Sequence, residues 1–239
     1  MRKLVALAPW IFVLIWSSGF PVSKYAFSSG DPLYFLAIRL LLAALILFVI
    51  ALIFRAPIKL SRSDFLASLA IGITLHGMYL AGVWYAISLG APAGLSSVIT
   101  SMQPVLVSLI AIRLLSEPLT RKQGIGLVLG FIGVFLVVLP KLSGTSHFTG
   151  TSLGLLVLAL LGSTVATLMQ KKIGHSIPLL IGTTYQFAIS GVVLLILSIA
   201  LGKTEFHLTQ TGFFAMLWAV LVTSIAAVLL LFWLLNRGS

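Results

Sequence analysis

Hydrophobic residues fall in eight long runs, at residues 4–27, 33–54, 65–90, 94–115, 123–140, 153–169, 177–202 and 213–235, with short polar connectors between them. Crossing a hydrocarbon core of about 30 Å takes about 20 helical residues, so each run predicts one transmembrane helix. No room is left for a soluble domain. The longest connector, residues 141–151, is rich in Gly and Ser and divides the chain into parts 1–142 and 143–239.

The most polar of the apolar stretches lies at residues 84–112. It holds an uncharged turn, Gly90-Ala91-Pro92, and then a helix carrying Ser96, Ser97, Thr100, Ser101, Gln103 and Pro104. Small hydroxyl residues let membrane helices approach closely, and a polar group facing lipid costs free energy. This helix is expected to face protein or a polar cavity.

Composition supports the membrane assignment. Of 239 residues 60% are hydrophobic and 8% charged, and the mean hydropathy is +1.19, too little polar surface for a soluble globule. The net charge of +11 is spread over the ends of the apolar runs rather than gathered in one patch, which excludes nucleic acid as a partner. Eleven basic residues, among them Arg55, Lys59, Arg62, Arg121, Lys171 and Lys172, fall on one side; Lys24, Lys141 and Lys203 fall on the other. That bias predicts a multi-pass protein of the plasma membrane with both termini cytoplasmic. The basic start and apolar run of residues 1–20 also fit a signal peptide, but seven more runs follow, so it is read as an uncleaved first helix. With no cysteine, thiol catalysis and thiolate metal sites are excluded. His147, His175 and His207 sit in connectors and read as solvated side chains, so neither a metal nor a cofactor is expected.

The two parts look like copies of one unit. Asp31-Pro32 opens the second run and Ile177-Pro178 the seventh, 146 positions on; Trp84-Tyr85 to Gly90 reappears as Phe232-Trp233 to Gly238, 148 positions on. A unit of five helices makes the second copy insert upside down, and inverted repeats build the two faces of many secondary transporters.

Four stretches carry a family resemblance: WSSGFPVSKYAF, DPLYFLAIRLLLAA, WYAISLGAPAGLSSVITSMQPVLVSLIA and SEPLTRKQGIGLVLGFIGVFLV. Together they resemble the EamA family of the drug/metabolite transporter superfamily over essentially the whole chain. The resemblance implies an all-α integral membrane protein of ten helices in two inverted five-helix repeats, moving small metabolites such as amino acids through a central cavity. Eight helices are present, and Ser239 aligns with Ala91 of the first repeat. The equivalents of helices nine and ten, about fifty residues, are therefore expected beyond this sequence. The small multidrug antiporters of that superfamily use a membrane-embedded glutamate in helix one; none stands there here, which disfavours cationic drug/proton antiport.

Arg39, about a third of the way into the second run, has no acid nearby in sequence. Two readings stay open: a receptor for a substrate carboxylate or phosphate, or a structural Arg bonded to carbonyls. His76, with Tyr79 at i+3, forms a polar stripe suited either to proton coupling or to an interhelical hydrogen bond. On the first helix Trp16 and Ser17 are candidate binding residues, and Pro21 is a candidate hinge because it frees a carbonyl one turn earlier. Lys24 is read as snorkelling to the interface, and Trp84 and Tyr85 as an aromatic belt. On the fourth helix Ser97, Thr100 and Gln103 are candidates for cavity lining or packing, with Pro104 a second hinge. Ser163, Thr164, Thr167 and Gln170 on the sixth helix, and Tyr185 and Gln186 near the counterpart of Arg39, complete the set. Glu117, in a connector, is read as structural, pairing with Arg113 or Arg121 or capping a helix.

These residues point to a secondary transporter, an exporter of small metabolites working by alternating access. Its partners would be a small-molecule substrate and membrane lipid, with a homodimer left open. A membrane enzyme would need a convergent nucleophile, base or metal set, and neither HExxH nor paired intramembrane carboxylates occur. The remaining alternative is a truncated remnant that is inactive or regulatory.

Overall fold

Over its described residues each hydrophobic run coincides with a helix in the structure, a computed structural model that describes residues 2–114, 120–142, 148–173 and 176–231. Helix α1 comprises Arg2–Ser17 and Gly19–Ala26, α2 is Pro32–Ile53, and α3 runs over Arg62–Ser88. Helix α4 comprises Ala93–Thr100 and Gln103–Leu114, and α5 is Arg121–Leu142. Then come α6, Gly150–Ile173, α7, Leu179–Ala200, and α8, Gln210–Leu231. Seven of these, α2 to α8, are long and apolar enough to cross a membrane. The chain is an all-α, multi-pass membrane protein. Glu117, His147, His175 and the Phe232-Trp233 to Gly238 match lie outside the described residues.

Local chemistry fixes where the helices start and stop. Pro32 is the first residue of α2, and Pro92 and Pro178 cap α4 and α7, positions where a missing N–H costs nothing. Ser61 Oγ accepts from Asp64 N–H at 3.1 Å to start α3, and Thr209 Oγ1 accepts from Gly212 N–H at 3.0 Å to start α8. At α5, Thr120 and Gln123 form a reciprocal capping box, with Gln123 N–H to Thr120 Oγ1 3.3 Å and Thr120 N–H to Gln123 Oε1 2.9 Å. Because such caps recruit residues upstream of the apolar run, α5 and α6 begin two to three residues before their sequence-based starts.

Two of the internal prolines, Pro21 in α1 and Pro104 in α4, have a helix break one turn upstream, whereas the helix runs on through Pro9 of α1 and Pro140 of α5. Pro21 has no N–H for the Ser17 carbonyl, and α1 breaks at Ser18; Pro104 has none for Thr100, and α4 breaks at 101–102. Two further departures from α geometry are π-helical: Ile73–Leu80 in α3 and Trp218–Ala226 in α8. Their starts lie 145 and their ends 146 positions apart.

The broadest helix–helix interface among the described residues joins α2 to α7, and the core around it gathers Phe35, Leu36, Leu40 and Leu47 of α2 with Trp84 of α3, Leu156 of α6 and Leu194 of α7. Two glycines permit close contacts beside it. A Cβ on Gly72 would lie 2.7 Å from the Gln186 carbonyl oxygen, and one on Gly162 would lie 2.7 Å from both Met78 Cβ and the Thr74 carbonyl oxygen. These contacts seat α7 and α6 against the start and the middle of the π segment of α3. At the end of the bundle opposite the N-terminus, the α1–α2 and α7–α8 connectors pair. Asp31 N–H donates to Glu205 O at 3.0 Å, and His207 N–H to Ser29 O at 2.7 Å. Helix α5 stands outermost, with no buried residue in its apolar window.

Candidate functional site

Arg39 is 5% exposed in the middle of the bundle, and among the described residues its hydrogen-bond partners are two neutral hydroxyls of α8. Nη2 donates to Thr223 Oγ1 at 2.9 Å and to Ser224 Oγ at 3.2 Å, and Nε to Ser224 Oγ at 3.3 Å. The π turn makes this possible. Thr223 and Ser224 hydroxyls both donate to the one Ala219 carbonyl, at 2.8 and 3.0 Å, the second across five residues. Their lone pairs then face Arg39 side by side. On its other side the guanidinium carbon sits 5.4 Å from the centre of the Trp84 ring, a cation–π contact in a desolvated setting.

Beneath this pair opens a cavity of about 440 Å³ between α1, α2, α3, α6, α7 and α8. That size suits a small metabolite. His76 lines it from the π segment of α3, 8% exposed, its ring edge-on to Phe187 at 4.7 Å. Its Nε2 has no hydrogen-bond partner, the one such buried side-chain atom among the described residues. Tyr79 stands one turn on, and Gln186 and Thr183 line the cavity from α7. Gln170 and Lys171, exposed at the end of α6, line its far end. The opposite end is closed by aromatic rings: Trp84 packs on Phe35 at 5.8 Å and on Phe27 at 6.1 Å, and Phe35 on Phe206 at 6.4 Å.

Of the residues singled out in the sequence, Trp16, Arg39, His76, Tyr79 and Gln186 line this cavity together, as do Thr167 and Gln170. The others do not. Ser17 is exposed and donates to Leu14 O at 3.2 Å, Ser97 donates to Gly94 O at 2.7 Å, and Thr100 to Ser96 O at 2.9 Å. Gln103 reaches across to α6, its amide nitrogen 2.6 Å from Thr167 Oγ1, behind the cavity wall. Thr164 is buried but donates to Leu160 O at 2.7 Å in its own helix. Tyr185 points away, its hydroxyl donating to Ile58 O at 3.2 Å beside the Phe65 ring. Pro21 and Pro104 are both exposed.

Sequence reasoning missed Trp84 and the pair Thr223-Ser224. Trp84 is 1% exposed and so is no interfacial belt residue. It stands at i+8 from His76 on the same helix, within one broad helical stripe, and that spacing was the available signal. Thr223 and Ser224 are adjacent hydroxyls in an otherwise apolar run, the polar partner that an unpaired Arg39 demanded. Also passed over was Gly150-Thr151-Ser152-Leu153-Gly154, which matches the G-x-S-x-G pattern of serine hydrolases. It opens α6, and among the described residues no strand leads into it. Among the described residues the Ser152 hydroxyl bonds only to Thr149, at 3.1 Å, so the string is a helix cap and not a nucleophile elbow.

Comparison with known proteins decides the family. Residues 4–139 match the EamA-like transporter family. The chain belongs to that family. Among relatives of this EamA-like chain, an uncharacterized transporter of Bacillus subtilis, YvbV, is 33% identical over 202 residues, 82% of this chain and 63% of its own length. A probable amino-acid metabolite efflux pump of Salmonella typhimurium is 28% identical over 204 residues, 84% of this chain and 65% of its own. An S-adenosylmethionine/S-adenosylhomocysteine transporter of Chlamydia trachomatis is 29% identical over 190 residues, 76% of this chain and 58% of its own. The chain thus spans less than two thirds of the length of these relatives. No solved structure matches it.

Proposed function

We propose that this chain acts as a secondary transporter, exporting small metabolites such as amino acids or related compounds across the plasma membrane by alternating access. The observation that carries the reading is the cavity at membrane depth, where Arg39, His76 and Gln186 are buried among apolar walls. Intramembrane polar groups are expensive and mark substrate paths. Membership of a transporter family and relatives named as transporters and efflux pumps support it. Trp16, Arg39, His76, Tyr79 and Gln186 form the substrate site, and Pro21 and Pro104 are hinges beside it.

In this reading residues 1–142 and 143–239 are inverted repeats. The π segments, the Pro32/Pro178 starts and the Ser61/Thr209 caps recur at offsets of 145–148 positions. The bias of basic residues toward one set of connectors supports a cytoplasmic N-terminus, and in that orientation the closed aromatic end faces outward and the Lys171 end inward. The arrangement is then inward-facing, ready to load from the cytoplasm. Counterflow into proteoliposomes preloaded with amino acids and their derivatives tests the proposal; no protein-dependent exchange of any solute would overturn it.

A further inference from the structure

The cavity is lopsided in charge. Its buried cation is Arg39, and none of the described carboxylates, Asp31, Asp64 and Glu205, lines it. Arg39 spends Nε and Nη2 on hydroxyls, and Nη1 makes no hydrogen bond to the described protein. A buried guanidinium opposed only by hydroxyl dipoles is under-compensated, and an entering carboxylate would complete it with short charge-assisted bonds. The second observation is independent. His76 Nε2, on a different helix of the same cavity, is buried without a partner, and as the N–H tautomer it donates to an acceptor. The guanidinium calls for an anionic acceptor, and His76 as the Nε2–H tautomer supplies a second donor to it. Around them Phe20, Leu80, Val83 and Phe187 supply apolar wall.

We infer that the site recognises monocarboxylates with an apolar or aromatic body through Arg39 and His76, and has no seat for an ammonium group. This deepens the transporter reading and rests on the cavity being the cargo site. A primary ammonium entering it meets no described carboxylate and is repelled by Arg39, so its desolvation goes uncompensated. The preferred cargo is therefore a carboxylate whose amine is absent or acylated. The zwitterionic amino acid binds less well, and the simple amine not at all.

Four probes of one shape test this on the full chain in detergent: 3-phenylpropionate, N-acetylphenylalanine, phenylalanine and phenethylamine. Binding is read by tryptophan fluorescence, since Trp84 stacks on Arg39, and by thermal shift. The expected order is 3-phenylpropionate and N-acetylphenylalanine about tenfold or more tighter than phenylalanine, with no binding of phenethylamine. Arg39→Gln is expected to weaken the two carboxylates about ten- to a hundredfold, and Arg39→Lys, which keeps the charge, by less. The wild-type order alone is decisive if a variant fails to fold. Phenethylamine binding as well as 3-phenylpropionate, phenylalanine binding tightest, or no probe binding at millimolar concentration would each overturn the inference. The same probes in counterflow separate the two claims. Exchange of amines or neutral solutes but of no carboxylate sinks this inference and leaves transport standing. Carboxylates that bind but do not exchange uphold the inference and count against transport.

Discussion

Gly162→Ala and Gly154→Ala place the same methyl group on α6 in opposite surroundings. At Gly162 the new Cβ meets Met78 Cβ and the Thr74 carbonyl oxygen at 2.7 Å and the Tyr79 nitrogen at 3.2 Å. These atoms belong to the backbone or lie next to it, so no rotamer change relieves the clash and α6 must move off the π segment of α3. At Gly154 nothing lies within 4 Å. The helix-propensity gain of Gly to Ala, up to about 1 kcal/mol, is common to both and cancels in the comparison. The difference is then the overpacking cost, about 1–3 kcal/mol. At about 2–4 °C per kcal/mol for a chain of this length, Gly162→Ala should unfold about 2–12 °C below Gly154→Ala. Parallel thermal unfolding in one detergent measures the gap. Superimposable curves would refute the close approach of α6 to α3, and with it the seating of His76.

Other expectations concern the polar groups and the helix breaks. Thr223→Val with Ser224→Ala strands the Arg39 guanidinium and should cost about 3 kcal/mol, while adding Arg39→Met should recover part of the loss; a triple variant no more stable than the double would show that the hydroxyls do not hold Arg39. Gln103→Leu should cost about 1 kcal/mol through the lost α4–α6 bond, and its effect should not add to that of Thr167→Val in a double-mutant cycle; fully additive losses would deny the 2.6 Å contact. Pro104→Ala restores a donor to the Thr100 carbonyl, so it should slow amide exchange near 101–106 and slow counterflow; unchanged flux through a stiffened helix would remove the hinge assignment.

How much of this was legible depended on whether a side chain's role was set by its own helix or by another. Helix order and membrane class were readable, because eight apolar runs between basic connectors leave few other folds. Arg39 and His76 stood out because polar groups at membrane depth need a reason, whatever their neighbours. By contrast, Ser97, Thr100 and Thr164 looked the same in sequence as Thr167 and Thr183. All are hydroxyls in apolar helices, and a hydroxyl can satisfy itself on the carbonyl three or four residues back, as the first three do. Which hydroxyls reach a cavity is decided by helix rotation. Tyr185 failed for a related reason: the repeat put it near the counterpart of Arg39, but one position of rotation on α7 gives the cavity to Gln186 instead. The π turns were illegible, since no residue type marks them, and they shift the facing of every side chain beyond.

One consequence of the wide turn in α8 is that charge and winding are coupled. Thr223 and Ser224 present both hydroxyls to Arg39 because each reaches the Ala219 carbonyl, across four residues for one and five for the other. Tightening that turn to α geometry would turn one hydroxyl away, since neighbouring side chains on an α-helix diverge by about 100°. The guanidinium therefore acts as a pin on the pitch of a helix to which it does not belong. Drawing Arg39 aside would remove these bonds, and with them the contribution of Arg39 to holding that turn wide.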